Sequence, residues 1–228
     1  MKHIAILALA LSLSACTLKK AANGEPFTVS LESPRVEVGT FEAQFDKTVA
    51  LMGLRQVEVS VSYYPAEDAV CLQYRIDFIT YYLFWNAKGR ETYLRALEKY
   101  KEDFTQKNFK PKGNRNTRRK YGKADCYLIW QTAAFLTRAR ASNVTEIGYD
   151  IKNIDNNNKA IFFTLWQRES IYVAETAQNE RRNSQNIPIY LTRAKADELA
   201  EFFKQDLLNN LVPDSIKRRN ESVSQDIL

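Results

Sequence analysis

Between residues 55 and 64 every second side chain is apolar. Val57, Val59, Val61 and Tyr63 fall on one side, and Glu58, Ser60 and Ser62 fall on the other. A period of two is the signature of a half-buried β-strand. The same period recurs through the chain. It appears in residues 27–32, and in residues 70–85, where Leu72, Tyr74, Ile76 and Phe78 oppose Cys71, Gln73, Arg75 and Asp77. It returns in residues 124–135 with Cys126, Leu128 and Trp130, in residues 144–151 with Ile147, Tyr149 and Ile151, and in residues 160–175 with Ile161, Phe163 and Leu165. Residues 187–191 read as a last short strand. Residues 36–51 are ambiguous, and their pattern favours a strand into Phe45 followed by a turn or short helix. Short polar turns separate several of these runs, at Pro65 to Asp68 and in the Asn-rich residues 150–159, so neighbouring strands are expected to pair antiparallel.

Two stretches carry the helical period instead. In residues 87–108, Tyr93, Leu94, Leu97, Tyr100 and Phe104 form one apolar face. After Thr192, an N-cap residue type, Ala196, Leu199, Phe203, Leu207 and Leu211 form another, which Pro213 ends. A helix after each strand, the mark of a parallel sheet, is absent. The expected fold class is therefore α+β: a twisted antiparallel sheet with two main helices packed on one face. It forms a single domain over residues 26–212, followed by a polar tail over 213–228.

Composition excludes more chemistry than it suggests. The chain is 45% hydrophobic and 12% aromatic, enough for a real core, but holds only 7 glycines in 228 residues. Neither a GxGxxG nor a GxxxxGK[ST] phosphate loop occurs. The only histidine is His3, inside a segment expected to be cut away. That removes Ser-His-Asp and Cys-His mechanisms and the histidine-containing zinc and iron sites. Carboxylate pairs survive this filter, with Glu146, Asp150, Glu169 and Glu175 on strands, but solvent-facing carboxylates are the usual case. The expectation is a non-enzymatic protein with no cofactor and no metal site. Two readings of the domain stay open beside it. One is a carrier that encloses an apolar ligand beneath a curved sheet lined by some of the 12 Tyr and 12 Phe; the other is a carboxylate-based hydrolase.

The charge of +6 is concentrated. Lys107, Lys110, Lys112, Arg115, Arg118, Arg119, Lys120 and Lys123 lie in a run without an acidic residue from Asp103 to Asp125. Pro111, Gly113, Asn114 and Asn116 make it a loop or extended arm. Near an anionic surface each such cation contributes about 1 kcal/mol. The expected partner is anionic lipid, an acidic cell-wall polymer or an envelope protein, rather than nucleic acid; the alternative is a solvated loop with no partner.

The start of the chain gives the address. Lys2 precedes an apolar run from Ile4 to Leu13, about half the roughly 20 residues that a membrane span needs. Leu13-Ser14-Ala15-Cys16 ends it. These four residues resemble the lipobox of bacterial lipoproteins. The resemblance implies removal of residues 1–15, acylation (palmitate) of Cys16, and a short tether over residues 16–25. Thr17, in place of Asp, favours the outer membrane of the cell envelope by the same resemblance. An ordinary signal cleavage near Ala15 is the alternative. Two other cysteines, Cys71 and Cys126, fall in predicted strands and are a candidate disulfide in an oxidising compartment, or else two buried small hydrophobes. Within the domain, Tyr121-Gly122 and Ile189-Tyr190-Leu191-Thr192-Arg193-Ala194 look like uncharacterised spirochaete lipoproteins, a resemblance that implies no site residue.

Overall fold

The computed structural model describes residues 27–46, 53–109, 119–132, 138–154, 158–167, 171–173, 181–183 and 186–213. In chain order these form β1 (Val36–Asp46), β2 (Leu54–Tyr64), β3 (Ala69–Ile76), β4 (Ile79–Trp85), α1 (Ala87–Thr105), β5 (Arg119–Thr132), β6 (Arg138–Asn153), β7 (Lys159–Gln167), β8 (Ile171–Val173), β9 (Arg181–Asn183), β10 (Pro188–Leu191), α2 (Arg193–Phe202) and α3 (Gln205–Leu211). Eight strands close into a barrel in the order β1-β10-β7-β6-β5-β4-β3-β2, and β8 and β9 make a separate hairpin. Every neighbouring pair of the barrel is antiparallel.

This overturns the expected fold class. The strands do not form an open twisted sheet with two helices on one face; they form a closed antiparallel barrel with three short helices. Closure rests on a pairing no sequence neighbour suggests, between β1 and β10 at Gln44↔Tyr190 and Phe45↔Ile189. Closing the sheet removes the two exposed edges an open one would present.

Local differences have local causes. The run over residues 70–85 is two strands, β3 and β4, because the chain turns at Asp77 and Phe78 with Asp77 at φ +54°. Aspartate tolerates that left-handed backbone without a glycine to advertise it. The second predicted helix is likewise two, α2 and α3, separated at Phe203 and Lys204. The expected strand over residues 27–32 does not form: residues 27–30 join no strand and residues 31–33 turn. Two expectations hold: residues 36–51 do carry a strand through Phe45, and the helix over residues 87–108 is α1, whose start Asn86 caps by accepting a hydrogen bond from the Gly89 N–H at 2.8 Å.

Both helices leave the same end of the barrel, α1 after β4 and α2 after β10. Their buried stripes (Tyr93, Leu97 and Tyr100; Ala196 and Leu199) join the inward-facing Leu72, Leu83, Leu128, Phe163 and Leu165 in one cluster. The Tyr93 hydroxyl donates to the Ala196 carbonyl at 2.8 Å and so ties α1 to α2. An eight-stranded barrel is about wide enough for side chains to fill, and aromatic rings do much of the filling here: Trp85 and Phe163 stand within 6.1 Å and 5.4 Å of Tyr93. A second cluster lies outside the wall. There Val29, with Phe27 and Leu31, packs on Tyr64, Cys71, Phe84, Tyr127 and Ile129.

Candidate functional site

The residues singled out in the sequence meet the structure unevenly. Cys16, Lys110, Lys112, Arg115 and Arg118 lie outside the described residues, as do Glu169 and Glu175. Lys107 is exposed just past α1, with φ +53°. The basic run is not a loop throughout, because β5 begins at Arg119 and takes Arg119, Lys120 and Lys123 into the wall of the barrel.

Lys120 and Lys123 do not extend freely into solvent. Lys120 Nζ stands 2.8 Å and Lys123 Nζ 3.6 Å from Glu146 Oε1 on β6, and only 5% of the Glu146 side chain is exposed. A carboxylate that buried needs cationic or hydrogen-bonding partners to remain charged, so these two lysines serve the fold. Asp150, four residues along the same strand, is also buried. Four residues of strand separate the two carboxylates by about 13 Å along the chain, and Asp150 Oδ1 accepts from the Ile151 N–H. Lys120, Glu146, Gly148, Thr164 and Trp166 line a cleft of only about 20 Å³, about room for a water molecule.

The candidate disulfide is not formed. Cys71 and Cys126 are both free and buried. Cys71 opposes Phe84, which in turn opposes Tyr127, and Cys126 opposes Trp85. The thiols thus sit two strands apart, about 10 Å, and on opposite faces: Cys71 in the outer cluster, Cys126 in the barrel core. A disulfide requires Cα atoms within about 7 Å and converging Cβ vectors. Burial pushes the Cys126 thiol up to about 12 and raises Cys71 as well.

A larger concavity lies where the residue pattern carries little signal. Thr28, Val29, Ser30 and Leu31 run alongside Tyr127, Ile129, Arg138 and Arg140, and between them is a groove of about 220 Å³. Arg138 and Arg140 are two apart on β6, so both point outward. Arg138 pairs with Glu32 at 2.9 Å, an exposed pair that contributes about 0–1 kcal/mol. Arg138 and Arg140 thus put two guanidinium groups on one lip of the groove, and the hydroxyl-bearing Thr28 and Ser30 on its opposite lip are exposed. The only trace of it in the sequence is the alternating Arg138-Ala139-Arg140-Ala141 at the start of β6. No helix among the described residues is long and apolar enough to cross a membrane.

No curated protein matches the chain, and no solved structure does. One family model does, over residues 35–210, which takes in the whole barrel and nearly all of α3. The chain belongs to the family described as an uncharacterised Treponema protein.

Proposed function

We propose that this chain is a lipid-anchored, non-enzymatic protein of the bacterial cell envelope, attached through an acylated Cys16, whose barrel holds an anionic envelope partner on its outer wall. The observation that carries the reading is the groove beside residues 28–31, where Arg138 and Arg140 stand on the outer wall. Phe27 lies eleven positions after Cys16, and a chain of that length reaches at most about 40 Å. The groove, whose lining begins at Thr28, is therefore tied to the lipid-bearing end by a short stretch of backbone. A single acyl chain holds a membrane weakly, and a basic surface is the usual second contact. Lys107 and the basic residues of 110–119 add charge to the same task.

Two measurements test this. Intact-mass analysis of the protein from its native membrane should find the acyl mass on Cys16, and Cys16→Ser should release the protein from the membrane fraction. For the partner, Cys16→Ser protein is sedimented with vesicles rich in anionic phospholipid. Arg138→Ser with Arg140→Ser, and separately Arg115→Ser with Arg118→Ser, should each weaken binding in low salt. Lys120 is left intact because it neutralises buried Glu146. Binding that both variants leave unchanged rejects the cationic surface.

A further inference from the structure

The end of the barrel opposite the helices carries polar groups on its inner face. Arg55 sits at the start of β2 opposite Phe45 and shares the inward parity of Val57 and Val59. Its Nη1 donates to Asp77 Oδ1 at 2.6 Å. Asp77 is at the tip of the β3–β4 hairpin. The other edge of the guanidinium, Nε and Nη2, is buried and has no hydrogen-bond partner. At the same end, the last residue of β7, Gln167, is fully buried. Its Oε1 accepts from the Tyr74 hydroxyl at 2.9 Å, and its Nε2 has no partner.

The two groups belong to one connected strip. Tyr74 stacks on Tyr81 with ring centroids 5.4 Å apart and also meets Phe45 at 5.1 Å. Burial, with Asp77 adding to it, pushes the Tyr81 phenol well above its ordinary range. From Arg55 through Asp77, Tyr81 and Tyr74 to Gln167, the strip thus ends at both extremes in buried donors with nothing to donate to. Native proteins rarely leave such donors empty.

The chemistry of the free edge names the ligand class. Nε–H and Nη2–H point the same way, at the spacing of the two oxygens of a carboxylate, which is the geometry of bidentate recognition. Asp77 holds the opposite edge and thereby fixes the plane of the guanidinium. The rings of Phe45, Tyr74 and Tyr81 are buried and pack on one another, so the surroundings of this end are apolar.

We propose that this end of the barrel is a binding site for a small carboxylic acid with an apolar body, its two oxygens on the free edge of Arg55, with Gln167 Nε2 as a further donor. The site is separate from the outer groove and does not depend on membrane attachment. Benzoate is the probe, with benzamide and inorganic phosphate as comparisons, added to the isotope-labelled full chain in detergent. The Arg55 Nε–H resonance, identified by its loss in Arg55→Lys, should shift saturably with benzoate and far less with benzamide. Arg55→Lys keeps the charge but loses the fork, and should weaken benzoate by about tenfold or more. Gln167→Met keeps the volume and should weaken it less. Should Arg55→Lys not fold, the wild-type titration and Gln167→Met carry the test. A resonance that benzoate leaves unmoved, or variants that bind as the wild type does, overturns the site; saturation by phosphate in place of benzoate overturns the carboxylate assignment. Arg138→Ser with Arg140→Ser should leave benzoate binding intact, and Arg55→Lys should leave vesicle binding intact, so either reading fails by itself.

Discussion

At the scale of the residue, the most heavily used side chain is Arg90 on α1. It is 2% exposed. Its guanidinium donates to the Asp68 carbonyl at 2.7 Å, to Asp68 Oδ1 at 2.8 Å, to the Trp85 carbonyl and to Gln205 Oε1. One side chain therefore joins the β2–β3 turn, the start of α1 and α3. Asp68 is itself held at φ +44°, a conformation that the Arg90 contacts help to maintain. Replacing Arg90 by Met should lower unfolding stability by about 2–4 kcal/mol, because carbonyls and an amide lose a charged donor; Asp68 is half exposed and regains water, which keeps the loss below that of a fully buried pair. Urea denaturation checks it.

Titration is also a residue-scale matter. The folded protein holds Cys126 protonated up to about 12, against 9.0 for a free thiol. Tyr100 is pushed up to about 12 from 10.0 by burial, and burial raises Tyr74, Tyr81 and Tyr93 too. A group whose folded value is raised adds stability that is complete below its unfolded value and is lost as pH rises toward the folded one. Stability should therefore be flat from neutral pH to about 8.5, then fall above pH 9 by up to about 1.4 kcal/mol per pH unit for each such group. Urea midpoints across that range test the sign. Iodoacetamide at mildly alkaline pH should modify neither Cys71 nor Cys126 until the protein is unfolded.

At the scale of the element, α2 is pressed onto β1 through Gly39. A Cβ built there would lie 2.8 Å from Phe202 Cζ, and Phe41 meets the same ring at 6.5 Å. The register of β1 against β2 shifts between Glu37 and Gly39, a local irregularity of the kind that bends a strand. Gly39→Ala should cost about 1–3 kcal/mol through overpacking, and Phe202→Leu in the same chain should recover part of it. A double-mutant cycle with no coupling between the two would contradict the close approach. The aromatic stripe of α1 was visible in the sequence because a helix repeats every 3.6 residues. Its packing partner, Phe163 of β7 at 5.2 Å from Tyr100, was not, because nothing in either repeat identifies which strand it meets.

At the scale of the molecule, the barrel's weakest seam is where it closes. Among the described residues, β1 and β10 share two residue pairs, whereas β5 and β6 share twelve. Side chains reinforce the seam: the Tyr190 hydroxyl donates to Asp46 Oδ2 at 2.9 Å, Lys152 Nζ meets Asp46 Oδ1 at 2.9 Å, and the same ammonium lies 4.6 Å from the Tyr190 ring centre. Joining strands almost at opposite ends of the chain carries a large loop-closure cost. Native-state hydrogen exchange should therefore find the amides of Gln44 and Phe45 opening before those in the middle of β6, and Tyr190→Phe should widen that gap.

The sequence by itself placed most of the barrel's long strands and both helical stretches, since these follow from local periods of two and 3.6, but it also read a strand over residues 27–32, where none forms. It also shows that neither GxGxxG nor GxxxxGK[ST] occurs, an exclusion that needs no geometry. It did not locate the Asp77 turn, whose left-handed residue is not glycine, nor the helix break at Phe203 and Lys204. Only the tertiary structure decided that the sheet closes, that Cys71 and Cys126 face opposite sides of one wall, and that Lys120 and Lys123 neutralise Glu146. It alone brought Arg138 beside Ser30 and put Arg55 at the same end of the barrel as Gln167. Those pairings link residues tens to more than a hundred positions apart, and no local period records which distant strand a given one will meet.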